Sequence, residues 1–445
     1  MIGALRRQLA VPALTSRLRA LAAGAPAAAP VSLTVPLDGE AQDWLSEITT
    51  NSAFWYLARP ALGLFRLGIG HALQVSTSGA QRFAALDNAF AGIAGAWRHD
   101  GRPLAFCGFA FDEHNQAPLP NALLAVPAIL LESAAGHCRA TLTTTAGAID
   151  SAPACWRQML AAIPAAPMPV RLLPSADATL ANRAWQARVH AALRDIAAGR
   201  AAKIVLARQR RIDAERPIPP AALLAALVEL QPESTVYAHG HGPATFLGAS
   251  PERLVRLAGG QVTADAQAGT AWPGSLQLDA EKNRHEQSLV RTAILEALAG
   301  CCTAPPRAGP VEIRQAGPVV HLHSRISGQV APGTSLFDLL RALHPTPAVG
   351  GFPVSAAQAW LAAHDERRAG WYSGGFGYLC PDGDGEFSVA LRSALLSGTA
   401  VELQAGAGIV AGSNAAQELA ETEAKFATLL EAIAHLAEAG RRRLG

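Results

Sequence analysis

The chain has 445 residues, half of them hydrophobic and 16% charged, with a formal net charge of +2. That is ample material for a large buried core. A near-neutral balance with no Lys/Arg cluster among aromatics argues against nucleic acid, and no apolar run is long enough to span a bilayer. Cys107, Cys138, Cys155, Cys301, Cys302 and Cys380 show neither CxxC spacing nor a zinc-ligand pattern. They read as reduced thiols of a cytoplasmic protein.

The first 23 residues carry Arg6, Arg7, Arg17 and Arg19 and no acid, loosely like an organellar transit peptide. They lack the apolar segment and small-residue cleavage site of a secretory signal. We expect a terminal helix and a linker from Gly24 to Pro30, making residues 1–30 an N-terminal extension. From Val31 to about Thr145 short strands and turns follow. Strands are predicted at Trp55–Leu67, His71–Ser76, Ala105–Phe111 and Leu123–Leu131, with a helix at Gly79–Trp97. Residues 150–176, rich in Ala and Pro, mark the best boundary.

Beyond it the pattern strengthens. Helices are expected at Ala178–Ala198, Pro219–Leu230, Ser275–Leu298, about 334–343 and Ser355–His364. Strands are expected at Ala202–Ile212, 234–239, 244–249, 252–257, 261–268, 311–314, 318–328, 371–379, 386–397 and 400–411. A last helix, capped by Ser413-Asn414, carries Glu418, Glu421 and Lys425 on one face beside the apolar stripe Leu419, Phe426, Leu430 and Ile433. The fold class is α/β of the α+β kind, a large mostly antiparallel sheet packed by helices. No GxGxxG follows a strand and no P-loop is present, so nucleotide binding has no support.

Several residues suit chemistry, each with a plainer alternative. Lys203 opens an apolar strand; a buried lysine with lowered pKa makes a general base, whereas a strand-end lysine simply reaches solvent. Glu252 follows a Ser-Pro turn, where apolar walls would make it a general acid and solvent would make it a turn residue. Glu286 and the Glu418/Glu421 face offer oxygens from two helices, suited to Mg²⁺, or they are solvated acidic faces. His321 and His323 share a strand face, and a hydrogen-bonded strand histidine is the default there. Arg392 is expected inside a strand, holding a carboxylate. Ala405 to Gly408 form a glycine-rich break that lets a ligand approach the backbone.

Nine segments occur in one order: KIVLAR at 203, LGASPERL at 247, AGT at 268, EKNRHEQ at 281, HLHSRISG at 321, HPTPAVGG at 344, YSGGFGY at 372, ALR at 390, and AGAGIVAGS through ELAETEAK from 405 to 425. Together they resemble the chorismate-utilising enzymes: anthranilate synthase component I, aminodeoxychorismate synthase, isochorismate synthase and salicylate synthase. The resemblance implies a single large domain with two packed, mostly antiparallel sheets and outer helices. Residues 31–175 would be the N-terminal part of that body and 176–437 its chorismate-binding core.

The same resemblance implies roles. Glu286 and Glu421, with Glu418 nearby, look like ligands of Mg²⁺, which would neutralise the ring carboxylate of chorismate. Arg392, the Gly406 backbone and Lys425 look like the clamp on the enolpyruvyl carboxylate. Gly269 and Ala348 would line the pocket, with His321 and Tyr372 as further contacts. Lys203, where ammonia-using anthranilate synthases tend to carry glutamine, together with Ala268, points to water as nucleophile. Ala348, where salicylate synthases tend to carry threonine, points to isochorismate synthase. Lys203 would then be the base and Glu252 the acid. Asn283, in place of a frequent acid, implies a different outer metal shell, and the segment after AGT lacks a frequent arginine. The partner expected is chorismate, for menaquinone, siderophore or salicylate biosynthesis. No nucleic acid, membrane or glutamine amidotransferase subunit is expected, and the protein would be a monomer or homodimer.

Overall fold

Two long strands, Leu64–Thr77 and Ala122–Ala134, pair antiparallel, with the register shifting between His71 and Leu73. The coordinates are a computed structural model describing residues 2–9, 12–38, 44–45, 48, 53–115, 118–161, 170–174, 177–272 and 281–442. On the free edge of Ala122–Ala134, the first residues pair with Ala105–Phe109 and the later ones with His137–Thr145. The sheet therefore divides around this long pair, as a bulged, strongly twisted strand allows.

One half continues from Leu64–Thr77 through Phe54–Arg59, Thr235–His241, Ala244–Ser250, Ser393–Ser397, Ala400–Val410 and Lys203–Asp213 to Gly351–Phe352. The other runs from Ala105–Phe109 through Gly375–Leu379, Gly385–Val389, Arg253–Ala258, Gln261–Ala271 and Val319–Gln329 to Glu312–Ala316. The two expected sheets are thus two halves of one hydrogen-bonded network. Among the described residues every strand pairing is antiparallel except that of Pro30–Leu37 with Arg98–His99.

Alternation along the strands builds three cores. Tyr56, Val236, Leu247, Leu403 and their neighbours face outward from the first half. They are covered by helices Pro12–Leu21, Ala152–Ala161, Pro220–Leu230 and Ala415–Arg442. Cys107, Val255, Ala264 and Phe387 face outward from the second, under helices Arg82–Ala96, Glu281–Ala299 and Leu336–Leu343. Between the halves lie Trp55, Phe106, Tyr237, Phe246, Trp371 and Phe376. Trp55 stacks on Phe106 at 5.6 Å and on Trp371 at 5.7 Å, so this gap is filled by aromatic area.

The structure departs from several expectations. Trp55–Leu67 is not one strand: a 3₁₀ turn, Pro60–Leu62, and Gly63 at φ 60° make it a hairpin. The N-terminal segment is two helices, Ile2–Gln8 and Pro12–Leu21, with Leu5, Leu14 and Leu18 buried in the first core. The long helix is described over Glu281–Ala299; its expected start at Ser275 falls in residues 273–280, which lie outside the described residues, as do 162–169 and 175–176 of the Ala/Pro-rich stretch. The glycine-rich run 405–408 is no break but the middle of Ala400–Val410. The predicted strand 386–397 is two strands, and Arg392 stands between them at φ 49°. No helix is long and apolar enough to cross a membrane among the described residues, and the six cysteines are free.

Candidate active site

The chain passes from one half-sheet to the other without an intervening helix at two adjacent places, and each such crossing delivers a candidate side chain. After Ala244–Ser250, Pro251-Glu252 carries the backbone into Arg253–Ala258. Beside it, Gly385–Val389 passes through Ala390-Leu391-Arg392 into Ser393–Ser397. The crossings are laced together: Val389 N–H donates to Glu252 O at 3.1 Å and Ala249 N–H to Arg392 O at 3.2 Å. A left-handed arginine costs about 1–3 kcal/mol of strain, and here it aims the guanidinium into the gap between the halves.

That gap holds a cavity that gives about 80 Å³ to the centre of a water-sized sphere. It is lined by Lys203, Glu252, Gly269, Glu286, His321, Ala348, Tyr372, Arg392, Gly406, Glu421 and Lys425 among others. Of the residues expected from sequence only Glu418 is missing; it lines an adjoining outer cavity with Lys282, Asn283 and Glu421.

Lys203 lies in the strand flanked by Ala400–Val410 and Gly351–Phe352, with Val410 and Phe352 directly opposite. Its side chain is 1% exposed and its Nζ lies 2.8 Å from Glu286 Oε1. This contact requires Gly408, because a Cβ there would collide with both the lysine and the glutamate. The glycine-rich run thus clears room for protein side chains. Lys425 donates to Gly406 O at 2.7 Å and to Glu421 Oε1 at 2.6 Å. It therefore makes an i,i+4 pair, because helical geometry places the two side chains in reach, while still facing the cavity.

Gly269, at φ +71°, makes a bulge where the pairing of Gln261–Ala271 with Val319–Gln329 shifts between Ala268 and Thr270. A Cβ there would press on Asn283 at the start of helix Glu281–Ala299. The bulge brings Thr270 Oγ1 within 3.2 Å of His321 Nδ1, and Arg392 Nη2 lies 3.4 Å from Nε2. Arginine only donates, so Nε2 accepts and Nδ1 carries the proton. Burial, then the charges on Arg392 and Lys425, push His321 down to about 3, so the ring stays neutral. His323, on the same face, instead meets Asp265 at 3.3 Å, away from the cavity.

Burial, then Asp265, push Glu252 up to about 8 against the pull of Lys203, Lys425 and Arg392. The carboxyl is therefore protonated at neutral pH, and its Oε1 has no hydrogen-bond partner among the described residues. Burial works to raise Glu421, but its neighbours, Lys425 foremost and Lys282 among them, together hold this carboxylate below the usual range. Burial, then the charge on Glu421, raise Glu418 to about 7, as expected where two carboxylates share a site. Arg392 is lowered by burial to about 10 and remains a cation.

Among the described residues, no three carboxylate, imidazole or thiolate groups are gathered closely enough to hold a metal ion as they stand. Each glutamate is drawn instead onto an ammonium: Glu286 onto Lys203, Glu421 onto Lys425 and Glu418 onto Lys282 at 2.5 Å. The donor set still fits a hard cation, since it is all carboxylate oxygen and Glu418 Oε2 is buried without a partner among the described residues. Sequence reasoning passed over Lys282. A signal was present: it is one of only three lysines in the chain.

The fold and this charged cavity are those of an enzyme, and the chain belongs to the chorismate binding enzymes, whose family model matches residues 20–434. It is similar to the salicylate biosynthesis isochorismate synthase of Pseudomonas aeruginosa, 34% identical over 411 residues and covering 85% of this chain and 84% of that one. Isochorismate synthase MenF of Bacillus subtilis is 34% identical over 260 residues, 56% of this chain and 55% of that one. Among solved structures, the menaquinone-specific isochorismate synthase MenF of Escherichia coli superposes with a TM-score of 0.77 at 27% identity, covering 95% of this chain and 99% of that one. Anthranilate synthase component I of Streptococcus pneumoniae shares the fold, with a TM-score of 0.68 at 21% identity over 84% of this chain and 92% of that one.

Proposed function

We propose that this protein is an isochorismate synthase, converting chorismate to isochorismate by adding water at C2 with loss of the C4 hydroxyl. One observation carries the reading: a single cavity presents Lys203, a protonated Glu252 and the cations Arg392 and Lys425 together. Lys203, Ala268 and Ala348 favour water as nucleophile and retention of the enolpyruvyl group.

Lys203, as the general base, takes a proton from the water that attacks C2. Glu252 gives its proton to the C4 oxygen as that bond breaks, so one proton is gained and one lost. The ring double bonds shift between the two events, and no oxidant is needed. Arg392 and Lys425 hold the enolpyruvyl carboxylate, with neutral His321 fixing the Arg392 fork. Ala348 and Tyr372 line the same cavity and would wall the ring. Glu286 and Glu421, with Glu418 beside them, would hold Mg²⁺, which supplies charge neutralisation at the ring carboxylate.

Purified protein incubated with chorismate and Mg²⁺ at neutral pH should accumulate isochorismate, resolved by chromatography. Salicylate with equimolar pyruvate would sink this reading in favour of a salicylate synthase. Anthranilate or aminodeoxychorismate formed on adding ammonium would replace water as nucleophile. No turnover would leave a chorismate-binding protein. Glu421→Gln should abolish the Mg²⁺-dependent rate while the far-UV spectrum and unfolding midpoint remain near wild type.

A further inference from the structure

Lysine is scarce in this chain. Of its 37 Lys and Arg residues only Lys203, Lys282 and Lys425 are lysines, so arginine serves every other cationic position. All three line the two adjoining cavities, and each is paired with a different glutamate of the acidic centre. Lys203 and Lys425 have work in the reaction proposed above. Lys282 has none, and its retention as lysine wants a physical reason.

The chemistry of the ammonium supplies one. Arginine holds a carboxylate through a planar two-pronged fork, whereas lysine is a compact charge on a flexible stem that lets go more readily. Lys282 holds only Glu418 Oε1, and Glu418 Oε2 is buried with no partner among the described residues. The Lys282 side chain is 25% exposed, against 1% and 16% for Lys203 and Lys425. It lies at the wall of the outer cavity with Thr270, Trp272 and Gln417, so of the three it has open space to move into.

We propose that Lys282 is a positioning residue of the acidic centre, holding Glu418 while no divalent cation is bound and swinging into the outer cavity when a cation takes that carboxylate. The inference rests on the reading of Glu286, Glu418 and Glu421 as a cation site. A merely structural ion pair would be indifferent to Mg²⁺.

The test uses the full-length wild-type protein without chorismate. Its amines are acetylated with a limiting N-hydroxysuccinimide ester, with and without Mg²⁺ at constant ionic strength, and each lysine is read separately by peptide mass spectrometry. Mn²⁺ binding is followed in parallel by electron paramagnetic resonance. The expected result is saturable Mn²⁺ binding and a severalfold faster acetylation of Lys282 in Mg²⁺. Mn²⁺ binding with an unchanged or slower Lys282 overturns this inference and leaves the cation site standing. Failure of Mn²⁺ to bind overturns both. Lys282→Arg, which keeps the charge but supplies the fork, should bind Mn²⁺ severalfold more weakly; equal affinity would also overturn the release of Glu418.

Discussion

The gap between the half-sheets is filled in two opposite ways. At one end Trp55, Phe106, Trp371 and Phe376 pack ring on ring, and Trp371 Nε1 and Trp55 Nε1 each donate a hydrogen bond, to Pro120 O and His71 Nε2. At the other end the walls carry Lys203, Glu252, Arg392 and Lys425, an unpartnered Glu252 oxygen and a left-handed arginine. The same strands serve both ends: Ala244–Ser250 contributes Phe246 to the aromatic end and leads directly into Glu252. Strain and desolvated charge are thus concentrated where the substrate would supply the missing partners. The aromatic end supplies the rigidity that tolerates them.

The sharpest way to separate the ends is Glu252→Gln. Loss of a positioned general acid should lower kcat by about 10²–10⁴-fold, measured with chorismate at saturating Mg²⁺. Stability should respond in the opposite sense at high pH. Burial raises this carboxyl from 4.5 to about 8, so the native state binds its proton more tightly than the unfolded chain. The stabilisation is complete below pH 4.5 and is lost as pH rises through 8. With Glu252→Gln no charge forms, so the variant should unfold at a higher temperature than wild type at about pH 9 and at a similar one only below pH 4.5. A variant equally destabilised at both pH values would contradict the assignment of a protonated acid. For wild type, activity that needs this proton should decline as pH rises through about 8.

The aromatic end breaks differently. Trp371→Ala removes a side chain buried against Trp55, Phe246 and Phe376. It should cost about 3–5 kcal/mol, read as a lower denaturant midpoint. Residual folded protein should keep the pH dependence of turnover, because Trp371 does not line the reaction cavity. A shifted pH profile without lost stability would mean that the two ends are not separable.

Much of this was legible beforehand. Periodicity located most helices and strands, since alternation and helical spacing directly report buried faces. It could not locate the crossings. The stretch 386–397 reads as one alternating apolar strand, and nothing local announces that Arg392 takes φ 49°; only pairing with two different half-sheets bends it there. The glycine run at 405–408 misleads because a strand glycine is silent about what approaches it. Here Lys203 and Glu286, distant in sequence, occupy the space over Gly408. Motif order singled out residues that the structure gathers at one cavity, but their ion pairs depend on side-chain reach across helices. Lys282 was therefore visible only through its rarity.

The smallest effect tests the strain itself. Arg392→Gly removes the Cβ that opposes the left-handed backbone, worth about 1 kcal/mol to a glycine at such a position, less the entropy glycine gains on unfolding. It also relieves a buried guanidinium whose charge is disfavoured by burial. The variant should therefore be as stable as wild type or slightly more so in equilibrium denaturation, although a buried side chain with a partner at His321 has been deleted. Its KM for chorismate should rise by at least tenfold, the order expected for losing one charge-assisted hydrogen bond of about 1.5–3 kcal/mol. Arg392→Lys keeps the charge and the strain but not the fork, so it should be the less stable of the two and bind substrate with an affinity between that of Arg392→Gly and wild type. If both variants were destabilised alike with KM unchanged, the left-handed arginine would belong to the packed end of the gap and not to the reactive one.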